Sequence, residues 1–190
     1  MGLNRAKDYV TIIPEDPIYW EYAKGFHRGL PQRLQGRFEV LEPFPGGVSA
    51  CLENVKELAK DNHNPHRHFL GLIDFDSKSA PTGNPAQDRV LIQNRILAAE
   101  SVCAVSPSVF ILGPFMEAED LKRELAPLSR GILLPRPEEE VVNIYYGRLF
   151  ASENLKCPSA VGGCAQLQHE FLKAQVKRLC EFIEISIVAG

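Results

Sequence analysis

The sequence predicts an α/β fold: an open, mostly parallel four-stranded sheet flanked by helices, followed by a helical carboxyl-terminal extension. Two observations carry this. Four short β-like runs alternate with longer helical patterns as far as about residue 126, and strand–helix–strand alternation is the signature of a parallel sheet covered on both sides. The third run, Phe69-Leu-Gly-Leu-Ile-Asp-Phe-Asp, is apolar almost to its end, as expected of a strand buried on both faces.

The first strand is the β-branched run Tyr9 to Ile13, stopped by Pro14-Glu15-Asp16-Pro17. Asp16 before Pro17 is a helix start: the carboxylate accepts from the first free amides, and proline has no amide hydrogen to leave unpaired. Ile18, Tyr22, Phe26 and Leu30 then recur four apart, the spacing of one helix face. The second strand, Phe38 to Leu41, ends at Pro43 and Pro45, and Gly46-Gly47 opens a helix that turns Leu52, Val55 and Leu58 inward. After the third strand a turn-rich stretch, Ser77 to Asn84, precedes a helix from about Pro85 to Ala99. Val109 to Gly113 is the fourth strand, and Glu117 to Leu125 a short acidic helix. Beyond Pro127–Pro137 the pattern is helical only, at about Glu138 to Ala151 and Ala165 to Ile187. The expected division is therefore an α/β domain over 1–127 and a helical extension over 128–190 packed on it. The extension's apolar face (Leu167, Leu172, Val176, Leu179) suits core packing and would also dock a protein partner or a second copy.

With 190 residues, 45% of them hydrophobic, the chain can bury a core without staples. Its 21 basic and 24 acidic residues leave a net charge of −3, which excludes a polybasic nucleic-acid coat. No apolar run approaches the roughly 18 residues of a membrane span, and the start MGLNRAKDY lacks a signal-peptide core; a soluble, cytoplasmic protein is expected. The odd count of five cysteines agrees with a reducing compartment. Cys51, Cys103 and Cys180 lie in apolar or amphipathic segments and read as small core residues. Cys157 and Cys164, with His169, match no zinc-module spacing and lack a fourth ligand; a loop is expected there.

In parallel sheets ligands bind beyond the carboxyl ends of the strands. There the first strand delivers Glu15 and Asp16, the third Asp74 and Asp76, and the fourth, a few residues later, Glu117, Glu119 and Asp120. Asp74 and Asp76 are two apart on an extended chain, so their carboxylates point to one side. Two such charges repel unless a cation lies between them, and hard oxygen donors suit Mg²⁺ or Mn²⁺. Glu15 would complete the site or act on an attacking water, and Glu117 with Glu119 would suit a second ion. The same acids have structural readings: Asp16 as a cap, Asp76 in an Asx turn, Glu117 and Glu119 at a helix start.

Other features are open to both kinds of reading. His63, His66 and His68 precede the third strand, at the end away from the acids, and read as an exposed basic loop despite metal-like spacing. Gly46-Gly47 before Ser49 resembles a phosphate-binding turn into a helix, without the Lys-Ser/Thr of an NTPase. Arg28, Arg33, Arg37, Lys173, Lys177 and Arg178 would reach phosphates or line solvated helix faces.

On IIPED (Glu15), LIDFD (Asp74, Asp76), PGGVS and MEAEDLKREL, residues 8 to 126 resemble a Toprim domain, the metal-binding module of topoisomerases, bacterial primases and overcoming-lysogenization-defect nucleases. The resemblance implies a four-stranded parallel α/β unit with a Glu after the first strand and Asp-x-Asp after the third. It also implies Mg²⁺-dependent phosphodiester chemistry on DNA or RNA, in a bacterial defence or repair setting. The residue after the Glu departs from the family, Asp16-Pro17 standing where a Gly is usual. The chain is also similar to a group of bacterial proteins sharing LIDFD, VFILG and an acidic-Asp-Leu-Lys pattern, which implies no activity. Two alternatives stand beside the nuclease. Strand-DFD also resembles the nucleophile loop of HAD-type phosphatases, with Asp74 as nucleophile and Asp76 as acid/base, although Lys78 stands near where Thr or Val is usual. A Toprim-like fold kept as a catalytically inactive binding or regulatory subunit is the other.

Overall fold

The computed structural model describes residues 3–30, 32–42, 45–75 and 85–113, and in the carboxyl-terminal segment 171–172, 174–175, 177–179 and 181–188. The helices expected at 117–125 and 138–151, the joint at 127–137, and Asp76, Glu117, Glu119, Cys157, Cys164, Lys173 and Cys180 lie outside the described residues.

Strand β1 (Tyr9–Pro14) runs into helix α1 (Pro17–Gly29), a short α2 (Gln32–Gln35) and β2 (Phe38–Val40). Then come α3 (Val48–Lys60), β3 (Arg67–Leu72), α4 (Pro85–Cys103) and β4 (Val109–Leu112). The four strands form one parallel sheet in the order β2-β1-β3-β4, the fold class the alternating pattern predicts. Long pairing joins β1 to β3, from Tyr9 opposite Arg67 to Pro14 opposite Leu72. Both central strands are buried throughout apart from Arg67 at the entry of β3, which is why neither shows in–out alternation in sequence.

Local chemistry sets the helix boundaries. Asp16 Oδ1 accepts from the amides of Ile18 (2.8 Å) and Tyr19 (3.0 Å), with Pro17 in the first turn. Asp16→Ala is expected to lower stability by about 1 kcal/mol, the usual worth of such a cap, measured as a shift in urea midpoint at unchanged slope. The inward side of α1 carries Tyr19 and Ala23, both buried, with Ile18 and Leu30 half-buried beside them; the side chains of Tyr22 and Phe26 are outside the described set. Helix α3 buries Cys51, Leu52 and Val55 and half-buries Leu58. Helix α4 continues to Cys103, one turn beyond the expected end at Ala99, and buries Ile92, Ala99 and Val102.

The two faces of the sheet are covered by different elements. A side chain at Gly71 would meet Val55 of α3 and Ile111 of β4, so the odd-numbered positions of β3 face α3. His68 faces the other way, against Phe182. The described residues from 171 to 182 are helical and lead into a π-helix, Ile183–Val188. Phe171, Leu172, Leu179 and Ile187 join the single core, so this apolar face packs on the sheet.

That segment also covers the β4 edge. Gln175 Oε1 accepts from the Ile111 amide at 3.5 Å, and Arg178 donates to the carbonyls of Pro107 (3.1 Å) and Val109 (3.3 Å). Its guanidinium also stacks 5.1 Å over Phe110. These side chains occupy backbone groups that an open edge would offer to another chain. Arg178 thus bonds the strand edge, where the sequence leaves it open between a phosphate contact and a solvated helix face. Lys177 and Glu181 form an exposed 3.9 Å pair. Among the described residues no helix is long and apolar enough to cross a membrane.

Candidate active site

The strand order reverses between β1 and β3: β2 lies to one side of β1, β3 and β4 to the other. A crevice opens at the carboxyl ends of the strands on either side of such a reversal. Glu15 follows β1 directly, and Asp74 stands two residues beyond β3, so both are delivered to this point.

Three segments meet at Glu15, which is 6% exposed. Its amide donates to the Leu72 carbonyl (3.0 Å), carrying the parallel ladder one step past β1. Its carbonyl accepts from the amides of both Gly46 and Gly47, each at 3.0 Å. Its carboxylate Oε2 accepts from the Asp74 amide at 2.8 Å. The two glycines adopt φ of 82° and 92°, a left-handed region that side chains resist; this turns two successive amides onto one oxygen. The phosphate-cradle reading of Gly46-Gly47 is corrected accordingly: those two amides serve Glu15. Ser49 is exposed in the first turn of α3, whose N-cap, Gly47, has no side chain to offer.

Asp74 is half-buried, and its main chain is held on both sides. Glu15 takes its amide, and Arg95 of α4 donates from Nη1 to its carbonyl at 2.9 Å. Phe75, fully buried, packs 5.4 Å from Phe171 and anchors the chain just beyond. Beneath the site Cys51 donates its thiol to the Ile13 carbonyl at 3.3 Å. Burial, and then the negative charge of Glu15, push that thiol up to about 12, so Cys51 is a neutral core group and no nucleophile.

Of the expected site residues, the structure brings together Glu15 and Asp74. Asp76, Glu117 and Glu119 lie outside the described residues, and among the described residues no group of three or more His, Cys, Asp or Glu is arranged to hold a metal. Asp16 is the α1 cap, so the residue that departs from the Toprim pattern has a structural use here. Arg95 escapes sequence reading: it follows Asp74 by 21 positions, inside a helix whose apolar residues lie on all sides.

Two further readings are corrected. Arg37, read as reaching a phosphate or lining a solvated helix face, is instead buried; its Nε donates to the Asp8 carbonyl and its Nη2 to the Ser186 carbonyl at 2.6 Å. His68, taken as part of an exposed loop, is the second residue of β3 and is buried. His63 and His66 are exposed, and Arg28 and Arg33 are exposed on α1 and α2. Comparison with known protein families, with curated proteins and with solved structures finds no match to the chain.

Proposed function

We propose that the protein is a Toprim-like, Mg²⁺- or Mn²⁺-dependent hydrolase of nucleic-acid phosphodiesters. The observation that carries this reading is the meeting of Glu15 and Asp74, joined by a 2.8 Å hydrogen bond, at the reversal point of a parallel sheet. The donor set supports a hard cation, since the acids offer oxygen while the one thiol beneath them is buried and neutral. Asp74 and Asp76 would hold the ion, Glu15 would serve as ligand or general base, and Glu117 with Glu119 would hold a second ion. A bound ion would polarise the phosphate and stabilise the leaving oxygen. The chain's own contribution is positional: Glu15 and Arg95 fix the peptide groups on either side of Asp74, which would limit the backbone movement needed to offer its carboxylate to an ion.

Melting against Mg²⁺ and Mn²⁺ tests this. An ion that binds only the folded state, at a hundred times its Kd, adds about 2.7 kcal/mol, or roughly 5–10 °C for a chain of this size. Wild type should show that rise and cleave DNA or RNA, and Asp74→Ala/Asp76→Ala should do neither. No rise in wild type, with a double variant of equal or greater stability, would sink the proposal and favour the non-catalytic binding subunit. Retention of beryllofluoride, a mimic of an aspartyl phosphate on Asp74, would instead favour the phosphatase.

A further inference from the structure

At the amino-terminal end of the sheet, away from the acids, lies a second titratable cluster. His68 is 9% exposed, and neither ring nitrogen has a hydrogen-bond partner. Its ring lies 4.1 Å, centroid to centroid, from Phe182 of the carboxyl-terminal segment. Phe182 in turn stands 5.6 Å from Phe110 of β4. Among the described residues the nearest charge is Asp8, whose Oδ1 is 3.7 Å from His68 Nε2 and already bonded to His66 Nδ1 at 2.9 Å.

We propose that these contacts form a proton-sensitive latch, in which neutral His68 holds the segment Phe182 to Ile187 on the sheet and protonated His68 lifts it off. A neutral imidazole tolerates an apolar cover; an imidazolium needs water or an acceptor. Phe182 keeps water out, and the one carboxylate within reach is shared with His66. The charged groups around the ring are few. The segment before β1 contributes Asp8, the loop before β3 His66, and the entry to β2 Arg37, whose guanidinium bridges the carbonyls of Asp8 and Ser186. Beta4 contributes only Phe110, with Arg178 stacked over it, and Glu181 and Glu184 on the segment are exposed. Besides the ring contact the segment is held by the Arg37 bond to the Ser186 carbonyl, by buried Ile187 and by half-buried Ile183, while Ile185 is 73% exposed and the backbone is a π-helix, an uncommon geometry.

The sign of the pH effect follows from burial. Desolvation, the largest influence, holds the His68 pKa below its ordinary 6.5, outweighing the pull of Asp8. A base whose pKa is lower when docked than when released costs nothing while both states are neutral. The docked state therefore weakens as pH falls from about 6.5 toward the lowered value.

Hydrogen exchange of the full chain at pH 7.5 and 5.5, corrected for the intrinsic rates, tests the latch. Protection of the amides from 182 to 187 should fall several-fold, toward a ceiling of about tenfold, relative to those of β3. His68→Phe, which keeps the stacking and cannot be protonated, should show no fall. The His68 ring resonance of the wild-type protein should titrate below 6.5, a readout that needs no variant. Titration at or above 6.5, unchanged protection in wild type, or an equal fall in His68→Phe would each overturn the proposal.

Discussion

Gly113→Ala is expected to destabilise the protein by about 3 kcal/mol, the upper part of the overpacking range, and to lower its melting point by roughly 6–12 °C. A Cβ at this position would lie 1.7 Å from the Ile73 carbonyl oxygen and 2.9 Å from Phe75 Cδ2. The first contact is backbone on backbone, and the two chains are already bonded, Ile73 donating its amide to the Leu112 carbonyl. No rotamer change relieves it, so the ends of β3 and β4 must part. Gly71→Ala is the internal control. There a Cβ would meet side chains and no backbone at short range: Ile111 Cδ1 at 2.8 Å, the far end of its chain, can turn aside, and Val55 Cγ2 at 3.2 Å need give only a few tenths of an ångström; a loss near 1 kcal/mol is expected. Urea midpoints of both variants give the comparison, and equal losses would mean that the strand ends do not approach as closely as described. The substitution also bears on the site. The carbonyl of Ile73 and the amide of Asp74 belong to one peptide plane, so pushing the oxygen away from residue 113 twists the amide that Glu15 receives. On the proposed metal-dependent reading, Gly113→Ala should also weaken metal binding without touching a single acid.

How far the sequence discloses this arrangement depends on the distance over which each feature is encoded. The cap at Asp16 and the glycine turn before α3 are written within a few residues, and both are legible. The buried strands are legible because a parallel sheet covered on both faces demands apolar runs; their ends are less so. Apolar character continues through Ile73 and Phe75, both fully buried, whereas pairing in β3 stops at Leu72. Glu15 and Asp74 are legible as strand-end acids; their direct contact is not, since it follows from β1 and β3 being neighbours, and strand order is not a local property. The same limit explains the misreadings. The amides of Gly46 and Gly47 look available for a phosphate until Glu15, 31 and 32 positions earlier, is found against them. His68 looks like a loop residue until a segment more than a hundred positions later is seen to cover it. Arg37 looks like a surface cation for the same reason, its second acceptor being Ser186.

The two roles open to Glu15, clasp and catalytic group, separate in a pair of variants. Glu15→Ala removes the acceptor of the partly buried Asp74 amide, and leaving such a donor unpaired costs about 1–3 kcal/mol where water cannot replace it. Glu15→Gln keeps an oxygen for that amide while removing the charge and replacing the other oxygen by an NH₂ group, so its stability in the absence of metal should stay within about 1 kcal/mol of wild type. If Glu15 is a clasp alone, function and stability move together: the glutamine variant behaves as wild type in every assay, and alanine fails in all. If Glu15 is a ligand or general base, they part company. Glutamine would fold as wild type yet lose the metal-induced rise in melting point or at least a hundredfold in kcat, the lower end of what a general base supplies. The carbonyl of Glu15, bonded to Gly46 and Gly47, is unaffected by either substitution, so the fold of the turn is held constant across the pair. A glutamine variant that is stable, binds Mg²⁺ as wild type does and cleaves as well would assign Glu15 to the architecture and leave Asp74 to carry any chemistry of this site.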